Sequence, residues 1–94
     1  VRARLYIDPA TGSPYIYGHD VDEDEVIQVL ERPDEDRNGR EGSRLALGQT
    51  DSGRYLRVIY VPDVERDSVF VVMAYELAGK PLAAFRRRRK KKQQ

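Results

Sequence analysis

The chain has no cysteine, no tryptophan, a single methionine and a single histidine. Without cysteine it can have no disulfide framework, no thiolate zinc site and no thiol nucleophile. No apolar run approaches the roughly 18 residues of a membrane-spanning helix. The opening Val1-Arg2-Ala3-Arg4 lacks the pattern of a signal peptide. There is no glycine-rich phosphate loop, because Gly12, Gly18, Gly39 and Gly42 are isolated. The acids Asp20, Asp22 and Asp24 have the alternation of a calcium loop, but Glu25 occupies the sixth position, where that loop needs glycine. No metal, no cofactor and no membrane contact are expected, and the expected location is cytoplasmic.

What the chain does have is charge, unevenly placed. It carries 17 Lys+Arg against 16 Asp+Glu, for a net +1. Seven of the cations are the unbroken run Arg86, Arg87, Arg88, Arg89, Lys90, Lys91 and Lys92; without them, 10 basic residues face 16 acidic ones, a net of −6 over residues 1–85. Such a run repels itself and stays solvated. The expectation is one domain over residues 1–85 and a basic, disordered tail over 86–94, with Leu82-Ala83-Ala84-Phe85 available to dock ahead of the free charges.

Residues 3–7 and 14–17 are strand-like and flank the turn formers Asp8-Pro9-Ala10-Thr11-Gly12-Ser13, which predicts a β-hairpin or, failing that, a frayed arm. Asp22 and Glu25 have capping-box spacing, and Val21 with Val26 can form the hydrophobic staple. Val26, Ile27, Val29 and Leu30 then make one apolar stripe that Pro33 ends, a helix of about nine residues that needs a sheet to pack on. Residues 33–42 read as a loop. Residues 45–49, 54–61 and 68–75 read as an antiparallel meander, the last buried on both faces because its apolar run does not alternate. The fold class is therefore α+β: a small antiparallel sheet, a three-stranded meander plus an N-terminal hairpin, packed on one short helix and followed by the basic tail. Alternation suggests that Leu45, Leu47, Leu56, Val58 and Tyr60 face the helix, leaving Arg44, Tyr55 and Arg57 on an open cationic face; a one-residue slip reverses this.

The stretch Gly18-His19-Asp20-Val21-Asp22-Glu23-Asp24-Glu25-Val26-Ile27-Gln28-Val29-Leu30 resembles the opening helix of BrnT-type proteins. Ser43-Arg44-Leu45-Ala46-Leu47-Gly48-Gln49-Thr50, Gly53-Arg54-Tyr55-Leu56-Arg57-Val58-Ile59-Tyr60 and Val71-Val72-Met73-Ala74-Tyr75 are similar to the strands that follow in that family. The likeness covers roughly residues 16–87 and implies membership of the RelE/ParE toxin superfamily: small α+β toxins, commonly ribonucleases, neutralised by a cognate antitoxin, a small DNA-binding protein.

On that reading the chain is a metal-independent endoribonuclease of a toxin-antitoxin pair. Such an enzyme must activate a 2′-hydroxyl, stabilise charge at phosphorus and protonate the leaving oxygen. Arg44, Arg54 and Arg57 are the phosphate-binding candidates, with Lys80 behind them. His19, Glu76 and Tyr75 are the proton-transfer candidates, and Tyr55 and Tyr75 can stack on an unpaired base. Each has a plainer alternative: His19 as a solvated residue before the cap, Arg44 and Arg57 paired to nearby acids such as Glu41, Arg54 at a strand edge, Tyr75 as a half-buried core ring. The competing reading is a non-catalytic domain of the same fold that binds nucleic acid or an acidic partner through Arg86 to Lys92.

Overall fold

Asp22 accepts a hydrogen bond from the Glu25 backbone N–H at 2.8 Å, and the Glu25 carboxylate accepts from the Asp22 N–H at 3.2 Å. This reciprocal cap starts helix α1, Glu23–Glu31, in the computed structural model, which describes residues 1–92. Val26 and Val29 on its inner stripe are fully buried, and Val21 before the cap joins the same apolar cluster. The helix is as long and as capped as its sequence predicts.

It packs on a five-stranded sheet, β1 (Ala3–Leu5), β2 (Glu35–Asn38), β3 (Arg44–Gln49), β4 (Tyr55–Asp63) and β5 (Ser68–Glu76), ordered β1-β5-β4-β3-β2. Strands β3, β4 and β5 form the expected antiparallel meander. The turn into β4 needs Gly53, whose φ of +96° disfavours any side chain. The fold is α+β, but the sheet is mixed, because β1 pairs parallel with β5.

Four expectations are corrected. The hairpin shrinks to a single bridge between Ile7 and Pro14, and residues 15–19 wind into a short 3-10 helix, Tyr15–His19, whose Ile16 is buried in the core. Part of the loop over 33–42 is the edge strand β2; its charged sequence has no strand propensity of its own, and pairing with β3 supplies the order. β5 is central and has no exposed residue from Ser68 to Tyr75, but only Val71 and Ala74 are fully buried, and a bulge also breaks its alternation. The register slips between Ile59 and Tyr60, so that Val72 is an extra residue between Met73, opposite Ile59, and Val71, opposite Tyr60. This bulge brings Val71 and Ala74, three apart, into the same core. Finally, the cationic run is not a free tail. Residues Gly79–Lys92 form a second helix, α2, and Phe85 is fully buried against Leu47 and Leu77, with Tyr55 and Leu82 alongside.

The two helices lie on opposite faces of the sheet, which fixes the side-chain parity. β4 presents Leu56, Val58 and Tyr60 to the α1 side as expected, but β3 presents Ala46 there and sends Leu47 to α2. The small residues are what let α1 approach: a Cβ on Gly48 would meet Val29 at 3.3 Å and the Arg32 carbonyl at 3.4 Å. Arg44, in step with Ala46 and Gly48, therefore lies on the α1 side, and Arg57, opposite Leu47, on the α2 side. No helix among the described residues is long and apolar enough to cross a membrane.

Candidate functional site

The arginines singled out in the sequence fall into three separate settings. Arg44 donates through Nε to the Asp36 carboxylate at 2.9 Å, through Nη1 to Asn38 at 2.8 Å and through Nη2 to the Asp36 carbonyl at 3.1 Å. The hydrogen bond to Asp36 is the main reason its pKa lies above the ordinary arginine value. The other Asp36 oxygen accepts from the Tyr60 hydroxyl at 2.7 Å. Burial, and then that carboxylate, raise the Tyr60 pKa. Arg44 thus ties edge strand β2 to β3; its acid is Asp36, eight residues back, rather than Glu41.

The Tyr60 bond has a measurable consequence. A phenol whose folded pKa is raised contributes stability that is complete below the unfolded value near 10 and is lost as pH rises through the folded value. Tyr60→Phe should cost about 1.5 kcal/mol at neutral pH, as for a hydrogen bond to a charged acceptor. The gap between the two proteins in urea unfolding should hold constant up to about pH 10 and narrow above it; a gap that widens there would contradict the assignment.

Arg54 is equally committed. Its Nη1 donates to both oxygens of Glu25 at 2.9 and 2.7 Å and to the Asp20 carbonyl at 2.9 Å, and its Nε to Glu76 at 3.0 Å. Burial lowers its pKa, and Glu25 and Glu76 more than restore it, leaving it raised. Arg54 therefore clasps the start of α1 to the end of β5, and Glu76, its partner, is occupied as an ion-pair acceptor.

Arg57 differs from both. Its Nη1 donates to the Tyr75 hydroxyl at 2.9 Å, and its guanidinium lies 5.8 Å from the Tyr75 ring centre. Its Nε is buried and has no acceptor among the described residues, a costly state for a cationic donor. His19, exposed at the end of the 3-10 helix, has its ring 6.3 Å from that of Tyr75. Of the six residues expected to do chemistry, the structure gathers Arg57, Tyr75 and His19, while Arg44, Arg54 and Glu76 are engaged in ion pairs. A cation, a phenol and an imidazole at one place can hold a phosphate, hydrogen-bond an oxygen and transfer a proton.

A row of rings that sequence reasoning missed leads to this cluster. Phe70 meets Tyr6 edge-on at 6.4 Å, Tyr6 meets Tyr15 at 6.0 Å, and Tyr15 meets His19 at 5.3 Å. The guanidinium of Arg4 lies 5.4 Å from the Phe70 ring at the far end. Tyr6 and Tyr15 read as ordinary strand formers, and only the pairing of β1 with β5 aligns them with Phe70.

The cations of α2 divide by helical face. Arg88 forks onto Glu35 at 2.7 and 3.0 Å, which raises its pKa, and Arg89 reaches Asp34 at 3.7 Å. Arg86 lies 5.4 Å from the Tyr55 ring, which Phe85 also meets, at 5.6 Å. Tyr55, half-buried, is therefore packed against α2. Lys80, Arg87, Lys90 and Lys91 remain exposed, without an ion pair among the described residues. Lys92 closes the helix, and its side chain, with residues 93 and 94, lies outside the described part.

No known protein family matches the sequence, and no curated protein or solved structure matches it either.

Proposed function

We propose that this chain is a toxin-like protein that targets RNA, held in check by a cognate antitoxin, and that Arg57, Tyr75 and His19 are its RNA-facing set. The observation that carries the reading is Arg57: a partly buried guanidinium with no carboxylate partner among the described residues, an unsatisfied Nε, and a phenol and an imidazole beside it. Arginines that only hold a fold together look like Arg44 and Arg54, saturated by acids. The resemblance of residues 16–87 to BrnT-type proteins supports the same reading.

In the proposed reaction a 2′-oxygen bonds to the adjacent phosphorus while the bond from phosphorus to the 5′-oxygen breaks, giving a cyclic phosphate and a free 5′-hydroxyl. His19 takes the proton from the 2′-hydroxyl as the new bond forms, and solvent water protonates the leaving 5′-oxygen. Arg57 holds the non-bridging oxygens as charge builds on them, and Tyr75 orients Arg57 through their hydrogen bond. The exposed cations of α2 add salt-sensitive attraction for the phosphate backbone.

Induced expression in bacteria, with total RNA followed over the first minutes, tests this. Growth arrest with RNA cleavage is expected, lost in Arg57→Ala and in His19→Ala while circular dichroism shows both folded. Normal growth and intact RNA at confirmed expression would sink the catalytic reading. The exposed set Lys80, Arg87, Lys90 and Lys91 favours one second reading, a non-catalytic nucleic-acid-binding domain; there RNA stays intact, and replacing those four residues is what abolishes binding.

A further inference from the structure

We infer that the row Phe70, Tyr6, Tyr15, His19 and Tyr75, bracketed by Arg4 and Arg57, is a binding track for single-stranded nucleic acid. The inference rests on the proposed RNA-targeting reading and specifies which form of nucleic acid the site takes. None of the five rings is buried; Tyr6 is 39 % exposed and His19 is exposed. Core aromatics elsewhere in the chain are treated differently, with Phe85 sealed at 0 % and Tyr60 at 7 %. An unbroken series of accessible rings along one sheet margin is the kind of platform on which successive bases stack without regard to sequence.

Spacing selects the strand state. Neighbouring ring centres are 5.3 to 6.4 Å apart, well beyond the axial step of about 3.4 Å between stacked bases of one strand in a duplex. Bases seated on successive rings must therefore be pulled out of their own stack, which an unpaired strand allows and a duplex resists. Charge agrees with this polarity. The guanidinium of Arg4 lies against Phe70 at one end and that of Arg57 against Tyr75 at the other, so the backbone of a bound strand has a cation at each limit of the row. Arg4 also holds Asp63 at 3.2 Å, a surface pair weak enough to yield to a phosphate.

The chain has no tryptophan, so its emission comes from six tyrosines, of which Tyr6, Tyr15 and Tyr75 belong to the track. The test is titration of the full chain with an oligothymidylate of about eight nucleotides and with an RNA duplex of roughly 16 base pairs at matched salt. The single strand should quench tyrosine emission and bind more tightly than the duplex. Tyr6→Ala with Tyr15→Ala should weaken single-strand binding by about tenfold or more, whereas Tyr6→Phe with Tyr15→Phe should stay within about twofold, since the ring is what stacks. Equal or tighter duplex binding, or an unaltered affinity in the folded alanine pair, overturns the track. If the alanine pair fails to fold, absence of quenching in the unmodified chain overturns it. Oligothymidylate lacks a 2′-hydroxyl and cannot be cleaved by the proposed reaction, so tight binding with intact cellular RNA rejects the catalysis and keeps the track. RNA cleavage without preference for single strands does the opposite.

Discussion

Phe85→Ala is expected to cost about 3–4 kcal/mol, the range for a large ring removed from a sealed site. Among the described residues, Phe85 is the one fully buried side chain of α2, and it packs in the cluster with Leu47 and Leu77. The other attachments cannot replace it. The pair from Arg89 to Asp34 is half-exposed and contributes on the order of 1 kcal/mol or less, and the fork from Arg88 to Glu35, whose side chain is 10 % exposed, sets its attraction against the cost of desolvating that carboxylate. Without the ring, seven adjacent cations also have less reason to stay close to one another. Two readouts should move together: the urea midpoint of the whole chain, because Leu47 and Leu77 lose their cover, and hydrogen exchange across residues 79–92, because the helix undocks locally. A midpoint change worth less than about 1 kcal/mol, with α2 still protected, would show that the ion pairs hold the helix.

The second large effect is expected at Arg54. Arg54→Ala leaves Glu25, Glu76 and the Asp20 carbonyl without their shared donor, and Glu25 is only 17 % exposed at its side chain. An uncompensated carboxylate in a fully buried pair costs 3–5 kcal/mol; with partial exposure here, about 2–3 kcal/mol is expected. Because Glu25 also closes the α1 cap, Glu25→Gln in the Arg54→Ala background should recover part of the loss, giving a coupling of about 1 kcal/mol or more in a double-mutant cycle. Additive losses would mean the two residues act independently.

Which parts of this structure could be read from the sequence follows from the range of the interaction that makes each part. The Asp22–Glu25 cap, the Val26/Val29 stripe and the meander depend on neighbours a few residues away, and those patterns stand in the sequence unaided. β1 and β2 are ordered by partners that their own residues do not announce: Val69 to Val71 for one, Arg44 to Leu47 for the other. The parity of β3 was hidden because hydrophobicity favours Leu45 and Leu47 as the inward set, while close approach of α1 selects Ala46 and Gly48. The cationic run reads as self-repelling until Asp34 and Glu35, more than fifty residues earlier, are brought beside it. Of the candidate site, the residue types were legible but not their grouping. Arg57 stands apart from Arg44 and Arg54 only once the long-range acids have taken up the other two.

The parallel pairing of β1 with β5 also sets an order of events during synthesis. Ala3 is translated ahead of the meander, yet its partner Val69 follows only after β4 is complete. The meander closes through short turns and pays little loop entropy, whereas the β1–β5 contact spans most of the chain and forms slowly. For an interval, therefore, the nascent domain displays the bare margin of β5, with Val69, Phe70 and Val71 uncovered, to every other chain nearby. The same three residues that complete the sheet are its point of greatest exposure to misassembly before the first strand returns.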